Sequence, residues 1–135
     1  MSARPFLDTN VLIYAFATGD ARKTAAEQCL AQGGTISVQV LNEFAAVSSR
    51  KLGLSWSEIA KRIEVVKALV DAPTALTETN HDTARELAQK HKIAFYDALI
   101  VAAALAAKCD VLWSEDFQPS MKFGTLTARN PFAAP

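Results

Sequence analysis

The sequence has little of what marks a secreted, disulfide-rich or membrane-spanning protein. Cys29 and Cys109 are the only cysteines among its 135 residues, which fits neither a disulfide framework nor a cysteine metal site and favours a reducing, cytoplasmic setting. The longest uncharged apolar run, residues 98–107, is far shorter than the ~20 residues of a membrane-spanning helix. Asp8 interrupts the apolar start of the chain, so we expect neither a signal peptide nor a membrane partner.

The sequence also lacks an excess of charge, because 14 basic residues face 14 acidic ones and only 21% of the residues are charged. Half of the residues are hydrophobic, which excludes intrinsic disorder and is enough for one sizeable core. No linker, repeat or low-complexity tract is visible, so we expect a single domain over residues 1–135 with a flexible tail from about residue 130. The neutral total does not exclude an anionic partner, since acids gathered in one pocket would leave the remaining surface basic.

Short apolar runs alternate with longer segments of helical periodicity, which is typical of a parallel α/β sheet with helices on both faces. The runs predicted as strands are Pro5–Leu7, Thr35–Val38, the weaker Ala75–Thr77 and Val111–Trp113, with a further short run at Thr125–Thr127. The predicted helices are Val11–Phe16, Ala21–Ala31, Gln39–Lys51, a helix capped by Ser55 and ended by Pro73, a helix from Thr79 or Asn80 to about Lys92, and Asp97–Ala107.

Four acidic residues fall where such a fold collects ligands, at the carboxyl ends of strands or on the buried flank of adjacent helices. Asp8 directly follows the first strand and Asp116 comes three residues after Trp113, so both are expected at one edge of the sheet. Glu43 borders the apolar stripe of its helix, where an unpartnered carboxylate is costly. Asp97 opens the last long helix.

Carboxylates that converge in this way repel one another and raise each other's pKa values, and a divalent cation is the usual remedy. Mg²⁺ or Mn²⁺ prefers oxygen ligands and commonly lies between carboxylates and a substrate phosphate. Each acid also has a plainer explanation, since Asp97 could cap its helix and Asp116 could be solvated in a polar loop. The four together favour a metal site, although their spacing alone names no reaction.

At these residues the sequence resembles the PIN-domain ribonucleases, and in particular the VapC toxins of bacterial toxin–antitoxin pairs. The matching segments follow the order of the family and cover nearly the whole chain. They are Phe6–Leu12, Asn42–Phe44, Tyr96–Ile100, Leu112–Phe117 and Asn130–Phe132.

The resemblance implies a three-layer α/β/α sandwich with a central, mostly parallel sheet, and Mg²⁺- or Mn²⁺-dependent endoribonuclease activity. It also implies an RNA substrate such as tRNA or rRNA, a VapB-type antitoxin that blocks the acidic pocket, and a homodimer. Carried over by motif, the catalytic and metal-binding residues are Asp8, Glu43, Asp97 and Asp116. The supporting residues are Thr9, Asn10 and Ser114, with Glu115 an ambiguous neighbour.

Other functions share parts of this pattern. A PIN nuclease of RNA processing, outside a toxin system, would carry the same four acids, and a non-catalytic module could use an acidic pocket to receive a basic peptide. A haloacid-dehalogenase-like phosphotransferase needs a second Asp two residues after Asp8, where this chain has Asn10, so we set that class aside. The basic pairs Arg50-Lys51, Lys61-Arg62 and Lys90/Lys92 could contact RNA phosphates, although a solvated surface is the commoner role of such pairs.

Overall fold

The computed structural model describes residues 3–133 as six helices and four strands. The helices are α1 Thr9–Ala15, α2 Lys23–Ala31, α3 Val38–Arg50, α4 Trp56–Leu69, α5 Glu78–His91 and α6 Phe95–Ala106. The strands are β1 Pro5–Leu7, β2 Val111–Trp113, β3 Lys122–Phe123 and β4 Leu126–Arg129.

The sheet has the order β1-β2-β4-β3, in which β1, β2 and β4 are parallel and β3 is antiparallel to β4. Leu7 is paired with Trp113, so the residues that follow these strands, Asp8 and Ser114, emerge side by side at the same edge. The predicted fold class, an α/β fold with a central and mostly parallel sheet, is confirmed.

The predicted strand Thr35–Val38 is wrong in extent, because only isolated bridges form there. Thr35 pairs with Phe6 of β1. Ser37 then caps α3, since its Oγ accepts a hydrogen bond from the Val40 amide at 3.3 Å, and the chain turns into helix before a strand can develop. Gly34 precedes this segment with φ 143°, and a Cβ there would lie 2.8 Å from the carbonyl oxygen of Pro5, so only glycine allows the approach to β1.

The predicted strand Ala75–Thr77 is also wrong, since Thr74 forms a single bridge with Ser37 and no strand follows it. Thr77 is the N-cap of α5, in place of the predicted Thr79 or Asn80. Its Oγ1 accepts from the Asn80 amide, while the Asn80 side chain accepts from the Thr77 amide, both at 3.1 Å. This reciprocal capping box fixes the start of α5. The predicted cap of α4 at Ser55 is confirmed, and Ser55 forms a reciprocal capping box with Glu58.

The chain from β2 to the last described residues contains a hairpin that the sequence pattern did not reveal. Phe123 of β3 pairs with Leu126 of β4, and both side chains are buried. Phe132 packs edge-on against Tyr14, with ring centroids 5.1 Å apart, so this position within the predicted tail is packed. Residues 134 and 135 of that tail lie outside the described residues.

The core lies between the sheet and the helices that pack on it. Its largest fully buried side chains include Phe6 of β1, Leu112 of β2, Phe44 of α3 and Phe123 of β3. Each such side chain contributes about 1.5–3 kcal/mol when it leaves water. Within residues 3–133, no helix has both the length and the apolar character needed to cross a bilayer.

Candidate active site

Asp8 stands at the centre of the acidic edge, at the junction of β1 and α1. It is the N-cap of α1, and only 3% of its surface is exposed. Its Oδ1 accepts a hydrogen bond from the Thr9 amide and its Oδ2 accepts one from the Ser114 hydroxyl, each at 2.7 Å. The end of β1 and the end of β2 are therefore joined through one buried carboxylate.

Ser114 connects Asp8 to the loop that carries Asp116. The Asp116 amide donates to Ser114 Oγ at 3.0 Å, and the Asn10 side-chain amide donates to Ser114 Oγ and to Asp116 Oδ2, both at 3.2 Å. Asp116 itself is exposed at the rim. Three of the predicted site residues thus form one hydrogen-bonded network with Asp8.

Glu43 and Asp97 approach the same edge from the helices. Glu43 lies on α3 and Asp97 in the first turn of α6, and both are half-buried. Among the described residues, the buried Oε2 of Glu43 has no hydrogen-bond partner. An unpartnered buried carboxylate oxygen is costly, so this atom requires a cation or a proton.

The four carboxyl groups act on one another electrostatically. The pKa of Asp8 is raised from 3.8 to about 6, mainly by burial and also by the charges of Asp116 and Asp97. The hydrogen bonds from Ser114 and Thr9 act in the opposite direction and lower it. Burial, followed by the charges of the other three acids, raises the pKa of Glu43 to about 7. A side-chain hydrogen bond with Gln39 acts in the opposite direction. The pKa of Asp97 is also raised, by burial and by Asp116.

The donor set fits a divalent cation in its chemistry, because it consists of oxygen atoms, it carries excess negative charge, and one oxygen of Glu43 is buried without a partner. The carboxylates do not form a complete set of metal ligands. In the described part of the chain, no three His, Cys, Asp or Glu side chains stand close enough together to hold a metal ion as they are placed. The acids share one electrostatic environment and would have to move inward to share an ion.

Thr9 and Glu115 reach the site mainly through their backbones. The Oγ1 of Thr9 is buried without a partner among the described residues, and its backbone amide donates to Asp8. The Glu115 side chain is directed to a separate network, where it accepts from the Tyr14 hydroxyl and forms a 3.5 Å ion pair with Arg22. Only its backbone amide reaches the site, through a 3.4 Å hydrogen bond to Asn10.

The network around Glu115 was not anticipated from the sequence. Arg22 binds Asp20 through two contacts of 2.8 and 2.9 Å, donates to the Tyr14 hydroxyl at 2.6 Å and lies 3.7 Å above the Tyr14 ring. The Glu115 side chain is therefore held from α1 and from the start of α2. No local motif in the sequence indicates this arrangement.

A groove beside Glu43 was also missed. It is lined along α3 by Gln39, Asn42, Glu43 and Arg50, and Tyr96 at the start of α6 closes it. The sequence pointed to Arg50 only as one of several basic pairs and to Tyr96 only as part of a motif. Their proximity depends on how α3 packs against α6, which a single sequence does not show.

Comparison with known proteins identifies a family for this chain. The family model of the PIN domain matches residues 6–120. No curated protein matches the chain in sequence.

Three solved structures share the fold. VapC20 of Mycobacterium tuberculosis, described as a toxin that cleaves the sarcin-ricin loop, is 21% identical, with a TM-score of 0.69 over 83% of this chain and 89% of that one. A toxin–antitoxin complex from Klebsiella pneumoniae is 18% identical, with a TM-score of 0.72 over 98% and 100%. VapBC2 from Rickettsia felis, bound to a DNA fragment from its promoter, is 19% identical, with a TM-score of 0.66 over 93% and 97%. At these identities the likeness establishes the fold, and the family match covers most of the chain: the protein belongs to the PIN domain family.

Proposed function

We propose that this protein is an endoribonuclease that hydrolyses RNA phosphodiester bonds with Mg²⁺ or Mn²⁺ and acts as the toxin of a type II toxin–antitoxin pair. The observation that carries the proposal is the shared electrostatic environment of Asp8, Glu43, Asp97 and Asp116 at one edge of the sheet. The raised pKa values of Asp8, Glu43 and Asp97 support this proposal, because they mean that these three side chains are unfavourably charged in their present surroundings, and cation binding relieves that condition.

The residues of the site would have different roles. Asp8, held by Ser114 and Thr9, and Asp97 would provide the principal ligands, and Asp116 would complete the set from the rim. A bound divalent ion stabilises negative charge on a phosphoryl oxygen and lowers the pKa of water. Glu43 would position the ion or the attacking water from α3, because its buried Oε2 has no hydrogen-bond partner among the described residues. Ser114 and Asn10 orient the carboxylates by hydrogen bonding.

The toxin role rests on the solved structures that share the fold, since two of them are toxin–antitoxin complexes. The surface of this chain is compatible with such a partner. Val65 and Leu69 of α4 are exposed and line an apolar cavity with Phe16, a kind of patch that commonly marks a protein interface. We propose a VapB-type antitoxin as that partner, and co-purification with the product of an adjacent small gene tests it.

A homodimer is part of the same proposal and is tested separately. Sedimentation of the purified chain distinguishes a monomer of 14.6 kDa from a species of twice that mass. A monomer at micromolar concentration would contradict the dimer and would leave the nuclease proposal standing.

Cleavage of RNA by the purified protein tests the activity. We expect cleavage with Mg²⁺ or Mn²⁺ and none in chelator, and we expect Asp8→Asn and Asp97→Asn each to lower the rate by more than about 100-fold while the circular dichroism spectrum stays native. Arg85→Ala, which breaks an exposed ion pair with Asp82 on α5, is the matched control and should retain full activity. Equal cleavage by the wild type and both Asn variants, or undiminished cleavage in chelator, would refute the proposal.

A further inference from the structure

The groove on α3 opens directly onto the acidic edge. Gln39, Asn42, Glu43 and Arg50 share one face of the helix, because the last three follow Gln39 by three, four and eleven residues, which are close to whole turns. The cavity they form with Tyr96 has a volume of about 500 Å³, within the ~300–1,000 Å³ range typical of small-molecule sites. Glu43 belongs both to the groove and to the acidic quartet, so a molecule bound in the groove touches the site of chemistry.

Tyr96 gives this groove an exposed aromatic wall. Its surface is 62% exposed although it directly precedes Asp97. Its ring packs edge-on against Phe95 with centroids 5.7 Å apart, and Phe95 packs in the same way on His81 at 5.3 Å. A supported ring with a free face is a platform on which a nucleobase can stack.

The polar residues of the groove are ordered along the helix. Asn42 is exposed and carries a side-chain amide, which both donates and accepts hydrogen bonds and can therefore pair with the edge of a base, whereas Gln39 is buried at the floor of the groove beside Glu43. Arg50 lies at the far end, about 10 Å along the helix axis from Glu43. It forms no ion pair within residues 3–133, so its guanidinium is free to contact a phosphate. The acidic edge would hold one phosphate through its divalent ion, the amide of Asn42 and the ring of Tyr96 suit a base, and the guanidinium of Arg50 suits a second phosphate.

We propose that this groove binds the nucleotide adjoining the scissile phosphate of a single-stranded RNA segment. The base stacks on Tyr96, its edge faces the amide of Asn42, and Arg50 contacts the next phosphate. Tyr96 and Arg50 then supply affinity, while Asn42 sets the preference for the base. The inference rests on the proposed ribonuclease function, and it adds a specificity site to it.

Binding of short oligoribonucleotides that contain the fluorescent base 2-aminopurine tests the proposal. The full chain carries Asp8→Asn so that RNA is bound and not cut, and Tyr96→Ala, Tyr96→Phe and Arg50→Ala are compared in that background. Trp56→Ala is the control for loss of an exposed aromatic, and Lys67→Ala for loss of an exposed cation. Wild-type protein is assayed in parallel for cleavage of the same RNA.

We expect Tyr96→Ala to weaken RNA binding by roughly 5- to 150-fold and to abolish the quenching of 2-aminopurine, as the loss of one stacked base would. Tyr96→Phe keeps the ring and should bind within about threefold of the parent. Arg50→Ala should reduce the slope of log K against log salt by about 0.7, the amount for one phosphate of a single strand. Neither control variant should show these effects.

Three results would overturn the proposal, and they are distinguishable. If Tyr96→Ala binds RNA no worse than Trp56→Ala while the wild type still cleaves it, the groove is not an RNA-binding site and the ribonuclease proposal stands. A change of sedimentation in Tyr96→Ala with unchanged RNA affinity would make the groove a contact between copies of the chain. Absence of both cleavage and binding in the respective proteins would defeat the ribonuclease function and the groove together.

Discussion

Asp8 is subject to opposing influences that can be separated residue by residue. Burial and the charge of Asp116 favour its protonated form, while the hydrogen bonds from Ser114 and from the Thr9 amide favour the carboxylate. The balance leaves its pKa at about 6, above its ordinary 3.8. The side chain is therefore held in place by donors that suit its charged form, in surroundings that resist the charge.

Two substitutions should move the pKa of Asp8 in opposite directions. Ser114→Ala removes the 2.7 Å hydrogen bond to the carboxylate and should raise the pKa above 6. Asp116→Asn removes a like charge and should lower it. Carboxyl-carbon NMR titration of metal-free protein measures both changes. A shift of the same sign in both variants would contradict this description of the site.

At the residue scale, the sequence was informative where a motif was local. The placement of Asp8 and Asp116 follows from counting residues past the ends of parallel strands, and Asn10 and Ser114 lie beside them. The direction of the Glu115 side chain was beyond reach, because Tyr14 and Arg22, which bind it, lie about a hundred residues earlier in the chain. The Asn10 and Ser114 contacts needed the strand register as well.

Helix α5 shows how a single cap decides the boundary of an element. Its residues are mostly polar, and only Asn80 and Ala84 are buried, so local interactions matter for its start. Thr77 and Asn80 satisfy each other's backbone amides there. Since α5 packs on α6, the cap also supports the helix that carries Asp97.

Substitution of the N-cap residue Thr77 should destabilise the protein, whereas substitution of the nearby Thr79 should not. We expect Thr77→Ala to lower the free energy of unfolding by about 1 kcal/mol, the usual effect of losing an N-cap. Thr79→Ala, at an exposed position within the helix, should change it little or raise it by a few tenths, since Ala has the higher helix propensity. Denaturant titration measures both, and equal losses would contradict the assignment of Thr77 as the cap.

At the element scale, long periodic helices were predictable and short edge segments were not. α2, α3, α4 and α6 lie within a few residues of their predicted bounds, because an apolar face repeats over several turns. The Thr35–Val38 and Ala75–Thr77 segments look like strands in composition. Both are cut short by capping residues, Ser37 and Thr77, that commit the chain to the next helix.

The stability of the whole molecule should depend on the raised pKa values of the buried acids. Unfolded Asp8 ionises near pH 3.8 and the folded residue near 6, and Glu43 changes from 4.5 to about 7. Between these values the folded protein binds more protons than the unfolded chain, so the free energy of unfolding falls as pH rises. Asp20, whose pKa is lowered to about 2 by Arg22, has the opposite effect, but at pH below this range.

We therefore expect metal-free protein to be most stable near pH 4 and to lose stability from there towards pH 7. The Asp8 contribution corresponds to roughly 3 kcal/mol, and Asp8→Asn should remove it from the pH dependence. Chemical denaturation in chelator at a series of pH values measures the effect. Stability that rises over this interval equally in wild type and Asp8→Asn would contradict the prediction.

The overall architecture and the side of the sheet on which the four acids lie followed from the strand–helix alternation, whereas the distances between these acids did not. Asp97 and Glu43 reach the edge only because α6 and α3 pack against each other beside the sheet. That packing depends on the complementary shapes of buried side chains such as Phe44 and Val101, which periodicity does not specify.

If the four acids bind a divalent cation at one site, calorimetric titration of Mn²⁺ into the purified chain detects that binding. We predict saturable binding at neutral pH that is weakened at least tenfold by Asp97→Asn, Glu43→Gln or Asp116→Asn. Glu115→Gln, next to Asp116 but directed towards Tyr14 and Arg22, should leave the affinity within about threefold. If none of the first three substitutions changes the Mn²⁺ affinity, Asp97, Glu43 and Asp116 do not share a cation site.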